Sequence, residues 1–479
     1  MVIATVNRFI SLFSTAFADL SVKVPVADVE RMAMLVQHSM DHGRRTYHTS
    51  THIFDMCEGM NARQVLATLF HDIVYYQLDG GFPKSADTLL RRVVRAERDR
   101  VEIRAIEERD DGYAICTGIF GVKAGQPLAL YGGMNEFLSA VVATRTLEAY
   151  LPTQDLIAIV ACIESTIPFR MSNAAGHSPS AVLAERVKAV SIALGLQPTA
   201  AEVDRAVTDA TVLSNHDVAS FSEANPAVFL STTWLLIEES NAPLAVVGIY
   251  SIQDYRIALS RMEGFLGSLN PDSIFHDYNG TPGAAEFAAL RAAARDNLAF
   301  ATKYLRMKIV SISVVEALAQ ATGGDCPVSM MLGDIRSSYG RPDRVEDFLP
   351  PPQVDETQLD AQLLSVLDHG RSKESASDLT ASPLTAWVYR SLGNDAVTRA
   401  LPNAKRMFAG ELTPRAYLDS LDATMVCSLT ESCARIAISR RAPNPSPRGL
   451  PKNALATRPD SGPVGDVGRR DHRRFALSL

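Results

Sequence analysis

Along most of this chain apolar side chains return every three or four residues, the spacing that lays them along one face of an α-helix. Val6, Phe9, Ile10, Phe13, Phe17 and Leu20 begin the pattern. Asp28 stands at the cap of the next run, in which Met32, Leu35, Val36 and Met40 share a face. A basic connector, His42-Gly-Arg-Arg-Thr, leads into Tyr47-His-Thr-Ser-Thr-His-Ile-Phe-Asp-Met. Asn61 is then placed to cap a helix over 62–76, with Val65, Leu66, Leu69, Phe70 and Ile73 on one stripe and Gly80-Gly81 beyond its end. Helical periodicity returns at 135–150, 155–166, 181–194, 200–213, 225–238, 252–269 and 283–306.

Between these runs the pattern changes twice. Residues 84–109 are densely charged at helical spacing, which reads as a solvated face. Residues 110–133 carry glycines, a proline and a few β-favouring side chains, so a loop with a hairpin is expected there. Convincing strands are few, and the fold class expected is all-α. Residues 342–356, with Leu349-Pro-Pro-Pro, read as a proline-rich linker. Weaker helices follow over 357–439. Residues 440–479 are rich in Pro, Gly, Arg and Ser and are expected to be a disordered basic tail.

The chain has 479 residues, 47% apolar and 21% charged, the usage of a globular protein. That excludes collagen-like, disulfide-scaffold and wholly disordered classes. A net charge of −7 gives no general attraction to nucleic acid. The tail holds nine basic and three acidic residues, so the rest of the chain carries about −13. Six cysteines without paired spacing suit free thiols in a reducing compartment. The N-terminal run is amphipathic rather than an unbroken apolar block, and no stretch reaches the roughly 20 apolar residues of a membrane span. A cytoplasmic protein with no membrane partner is the expectation.

Chemistry concentrates near the N-terminus. His48 and His52, four apart, would stack on one face of a helix, as groups sharing one site must. His71 and Asp72 are neighbours, and neighbours on a helix point about a hundred degrees apart. They can serve one ion only where the helix meets a cleft. Singly, each histidine is more often a core residue with a satisfied hydrogen bond. Together they form Tyr-His-x-x-x-His followed by an apolar-flanked Phe-His-Asp, a donor set of imidazole and carboxylate that suits a divalent cation.

Tyr47-His-Thr-Ser-Thr-His-Ile and Leu69-Phe-His-Asp-Ile-Val-Tyr-Tyr resemble the motifs of the HD superfamily of metal-dependent phosphohydrolases. The likeness is nearest to the small phosphohydrolases with Tyr-His-Asn-x-x-His-Ile and His-Asp-x-x-Tyr, and more distant to cyclic-nucleotide phosphodiesterases. It covers residues 32–78 and extends thinly to 240. It implies an HD-like helical bundle over 1–240 with an insertion at about 84–133; beyond it, the helical periodicity reads as an extension over 241–341 packing on the core.

The resemblance further implies that His52, His71 and Asp72 bind one divalent metal ion (Mn, Fe, Co, Ni, Zn or Mg), joined by an aspartate from a later helix. Asp217 is the first choice, with Asp209 and Asp204 as alternatives. His48 matches the histidine that protonates the leaving oxygen in the phosphodiesterase branch, and Arg44 and Arg45 could grip phosphate as a fork. Thr49 replaces the usual asparagine, and Tyr75 stands where members with two metals place another histidine. The expected activity is metal-assisted hydrolysis of a nucleotide or other small phosphate ester. The alternative is a helical regulatory or scaffold protein that keeps the site without turnover. Glu164 either lines the cleft or accepts a hydrogen bond at a helix end, and Phe275-His276-Asp277-Tyr278 is read as a turn without function.

Overall fold

The computed structural model describes residues 4–440 except 42, 98, 99, 107, 131, 247, 248, 336–339, 353–355 and 376. The expected tail, apart from Arg440, lies outside the described residues. Two compact units are present. One comprises the chain up to Glu223 together with Leu269–Arg295; the other begins with Ala224–Ser268 and resumes at Asp296.

The first unit holds α1 (Thr5–Asp19), α2 (Val26–Met40), α3 (Ser50–Met56), α4 (Ala62–His71), α5 (Tyr76–Asp79), α6 (Asp87–Val93), β1 (Val94–Glu97), β2 (Arg100–Ile103), α7 (Asp111–Phe120), β3 (Pro127–Leu128), α8 (Met134–Leu147), α9 (Thr153–Ser165), α10 (Pro179–Ala193) and α11 (Ala200–Asp217). Helix α9 is its centre. Every residue from Asp155 to Ser165 is buried, and the helix packs against α4, α7, α8, α10 and α11. Leu156-Ile-Ala-Ile-Val-Ala-Cys-Ile is apolar all round, as a helix enclosed on every side must be. Helix α1 puts Phe9, Phe13 and Phe17 against α2 and α4.

The second unit contains α12 (Pro226–Ser240), α13 (Ile252–Ser268), most of α14 (Ala284–Thr322), α15 (Val328–Leu332), α16 (Ala361–His369), α17 (Pro383–Phe408), α18 (Pro414–Asp419) and α19 (Ala423–Ile436). The described part of the proline-rich segment, residues 342–352, packs inside it: Trp387 Nε1 donates to the Pro350 carbonyl at 2.7 Å, and Ser432 Oγ to that of Phe348 at 3.1 Å. Among the described residues the only sheet is the three-stranded, antiparallel β1-β2-β3, so the protein is all-α in class. No helix among them is long and apolar enough to cross a membrane.

Two expectations shift. Strands β1 and β2 lie inside the stretch read as a charged, solvated face, and 110–133, expected as a loop with a hairpin, contains α7 and the single strand β3 that pairs with β2. Val94, Val101 and Ile103 are buried while Arg95 and Arg100 face out, a period of two that the flanking charges hide from a helical reading. In α7 the cap is Asp110, whose Oδ1 accepts from Tyr113 N at 2.8 Å. Its glycines are contact residues rather than turn residues. A Cβ on Gly118 would run into the Val190 side chain of α10.

Candidate metal centre

Helix α4 ends five residues earlier than its apolar stripe suggests, and hydrogen bonds explain the stop. Asn61 caps its start in a full capping box with Gln64. At its other end the amides after Asp72 leave the helical ladder: Val74 N donates to Ser139 Oγ at 3.1 Å and Tyr76 N to Asn135 Oδ1 at 3.1 Å, both on α8. The helix expected over 62–76 therefore stops at His71, with Asp72 as a C-cap at φ −111°, ψ 15°. This break lets adjacent side chains serve one point. His71 Nε2 lies 3.0 Å from Asp72 Oδ2.

Helix α3 supplies His52. His48 lies before the first residue of α3, not on its face as the four-residue spacing suggested, yet its ring centroid is 6.0 Å from that of His52. His52 Nε2 is 3.9 Å from Asp72 Oδ2 and 3.2 Å from Asp217 Oδ1 at the end of α11; His71 Nε2 is 3.8 Å from the same Asp217 oxygen. Ligand atoms of His52, His71 and Asp72 all lie within 4.8 Å of one another. Donors about 2.1 Å from one ion sit roughly 3.0–3.4 Å apart in octahedral or tetrahedral geometry, so these spacings suit a shared cation.

The imidazole lone pairs point the right way. His71 Nδ1 is 2.8 Å from the Thr68 carbonyl, which requires the proton on Nδ1 and frees Nε2. Both His52 Nε2 and His71 Nε2 are buried with no hydrogen-bond partner, although carboxylate oxygens are close by. Two orphaned ring nitrogens facing two carboxylates fit a cation between them better than they fit direct hydrogen bonds.

The electrostatics agree. Burial works against a charged His71, yet Asp72 and Asp217 outweigh it and raise the imidazole well above 6.5. Burial would also raise Asp72, but His71, His48 and His52 hold it far below the usual carboxylate range. Asp217 is brought down to about 2 by His52 and His71 against its own burial. The point they surround favours positive charge, proton or metal.

The remaining candidates are placed differently. Asp204 Oδ1 accepts from the Tyr278 hydroxyl at 2.9 Å, and Asp209 is held near Asn61, with its carboxyl raised by burial. Of the three later aspartates, Asp217 is the one at the imidazoles. His48 is buried, 4.0 Å from Asp72 Oδ2, with its ring 4.8 Å from those of Tyr47 and Tyr75. Arg44 is exposed. Arg45 is not available to a phosphate: its buried guanidinium grips Asp79 through Nε at 3.1 Å and Nη2 at 2.7 Å, and Nη1 donates to the Asp72 carbonyl at 2.7 Å. It positions the main chain of Asp72 instead.

Glu136, in the first turn of α8, escaped the sequence reading. Burial, Asp72 and Asp217 push its carboxyl up to about 7, against its own backbone amide and Arg170, which pull it down. Its only mark in the sequence is a place after Gly132-Gly133, which any surface glutamate could share. Glu164 is 1% exposed and paired with Arg170 at 2.6 Å and Arg186 at 3.3 Å. The discounted Phe275-His276-Asp277-Tyr278 folds onto the unit through a reciprocal pair, Asn215 Nδ2 to His276 O at 2.7 Å and His276 N to Asn215 Oδ1 at 2.9 Å. No family model, curated protein or solved structure matches this chain.

Proposed function

We propose that this protein is a metal-dependent phosphohydrolase of the HD type, acting on a small phosphate ester, with His52, His71, Asp72 and Asp217 as the ligands of one divalent ion. The supporting observation is the meeting of Asp217, far along the chain, with the two orphaned imidazole nitrogens and Asp72. When bound, the ion would supply Lewis acidity, polarising a phosphoryl oxygen and lowering the pKa of water from 15.7 toward about 7. The chain's own residues would do the rest. Thr68 fixes the tautomer of His71, and Arg45 holds Asp72 in place from behind. His48, buried beside the Asp72 carboxylate, is placed to hand a proton to a leaving oxygen. Glu136, titrating near neutrality, can accept one from an attacking water.

The test is Mn²⁺ binding by calorimetry on the full chain. His71→Ala and Asp217→Asn should each weaken affinity at least about tenfold, as loss of one donor does, whereas Asp209→Asn should not. Unchanged affinity in both ligand variants would overturn the proposal. A screen of phosphomonoesters and phosphodiesters then separates an enzyme from a non-catalytic ligand sensor. Turnover abolished by His71→Ala selects the enzyme.

A further inference from the structure

With Arg45 committed to Asp79 and to the Asp72 carbonyl, the centre lacks the phosphate-binding fork expected beside it. A cation from elsewhere is in place. The segment after α9, residues 166–171, is anchored at two points, at the start of α8 and just past the end of α11. On one side, the Ile167 side chain occupies the space where a Cβ on Gly133 would fall, so the segment lies directly against the first turn of α8. That turn carries Glu136 and, through Asn135 and Ser139, is hydrogen-bonded to the residues just after Asp72. On the other side, the Phe169 ring meets that of Phe221, four residues past Asp217, with centroids 5.6 Å apart. Arg170 lies in this segment, near enough to Glu136 to pull its carboxyl down while burial, Asp72 and Asp217 push it up.

Its guanidinium is held in one orientation. Nε donates to the Ile167 carbonyl at 3.1 Å, Nη1 to Glu164 Oε1 at 2.6 Å, and Nη2 to Glu164 Oε2 at 3.2 Å and to the Glu164 carbonyl at 3.1 Å. One N–H of Nη1 is left over, and the side chain is 25% exposed. Glu164 is shared with Arg186, so one buried carboxylate faces two cations and a net positive charge remains. A charge fixed in advance by a buried partner does not have to be ordered when an anion arrives. Backbone strain sits at the adjoining position, since Phe169 adopts φ 57°, a left-handed conformation unusual for a bulky residue.

We infer that Arg170, oriented by Glu164, is the residue that receives the phosphate of the substrate, and that this substrate is a phosphomonoester dianion. The inference rests on the metal-centre reading above. Its charge argument is simple: a fixed cation attracts a dianion twice as strongly as the single charge of a diester. Glu136, already crowded by Asp72 and Asp217, would be further burdened by that dianion, and Arg170 offsets it.

The experiment measures inorganic phosphate binding to the metal-free full chain by calorimetry, and turnover of p-nitrophenyl phosphate and bis(p-nitrophenyl) phosphate with Mn²⁺. Arg170→Gln should weaken phosphate binding at least about tenfold and raise KM for the monoester by a similar factor, with kcat within about threefold, since one charge-assisted contact is worth roughly that much. The diester should lose much less. Arg170→Lys, which keeps the charge and loses the fork, should fall between, and serves if Arg170→Gln fails to fold by circular dichroism. Phosphate affinity equal to wild type in both variants, absence of phosphate binding in the wild type, or equal losses on monoester and diester would each overturn it. Mn²⁺ affinity of Arg170→Gln should match wild type. If the wild type binds no Mn²⁺ but phosphate binding still depends on Arg170, the metal reading has failed while the anion site remains.

Discussion

Arg45 illustrates how one residue type can carry two opposite roles. In sequence it stands beside a histidine cluster and reads as a phosphate ligand; in the structure its side chain has no solvent exposure and is paired with Asp79, itself 5% exposed. Removing one member of a buried ion pair strands the other charge, which costs about 3–5 kcal/mol. Arg45→Met should therefore destabilise the protein by about 3 kcal/mol in urea unfolding, and a loss under 1 kcal/mol would show that the pair is dispensable. His52, His71 and Asp72 were legible because motif and side-chain type are local properties. Glu136 was not, because only chain folding brings it within the electrostatic reach of Asp72 and Asp217. His276 gives a pH signature at this scale: burial and Arg170 lower its pKa from 6.5 to about 4. A lowered value means that the unfolded chain takes up the proton first, so the stability is whole above pH 6.5 and declines as pH falls toward 4. By pH 5 the loss should reach about 2 kcal/mol, and His276→Gln should remove it; identical pH dependence in the variant would refute this.

At the level of elements, the helices were legible wherever the apolar stripe was long. The run expected at 181–194 is α10 at Pro179–Ala193, and that at 252–269 is α13. Short elements were not, because these four-residue strands bury only one or two side chains each and their charged neighbours dominate the pattern. The break after α4 was equally hidden: Ile73 continues the helical stripe, and the acceptors that draw the chain away, Ser139 and Asn135, come from a helix some 60 residues later. The junction of α8 with residues 166–171 is the contact that would position Arg170 in the proposed site. Gly133 sits there at φ 85°, with the Ile167 side chain filling the place of a Cβ. Gly133→Ala adds left-handed strain of about 1 kcal/mol to a clash that must push α8 and Ile167 apart. A loss of 2–3 kcal/mol is expected, with weaker phosphate binding through the displaced Arg170 segment. Full stability in thermal unfolding would mean that the contact is loose.

Over the whole molecule, the decisive feature is that the first unit is not continuous in sequence. The chain leaves it at Glu223 and returns for Leu269–Arg295, which no periodicity announced. What the returning segment contributes is specific: the paired hydrogen bonds between His276 and Asn215, two residues before Asp217, and the Tyr278 hydroxyl on Asp204, with the Tyr278 ring against the core of that unit. Each bond is worth about 1 kcal/mol net, so the return contributes about 3 kcal/mol to a unit whose total stability is of the order of 10 kcal/mol. Helix α11, which delivers Asp217, is tied down by these bonds toward both ends, at Asp204 and at Asn215. A chain truncated after Glu223 should therefore keep the helical circular dichroism of α1–α11 but melt about 10 °C lower than that unit does in the intact protein, since 1 kcal/mol shifts the midpoint of a unit of this size by about 2–4 °C. Its Mn²⁺ affinity should fall as Asp217 loses its support, and addition of a peptide spanning residues 269–295 should restore part of both. A truncated chain that melts with the intact protein and binds Mn²⁺ equally well would show that the returning segment merely lies on the unit and that the site is complete within the first 223 residues.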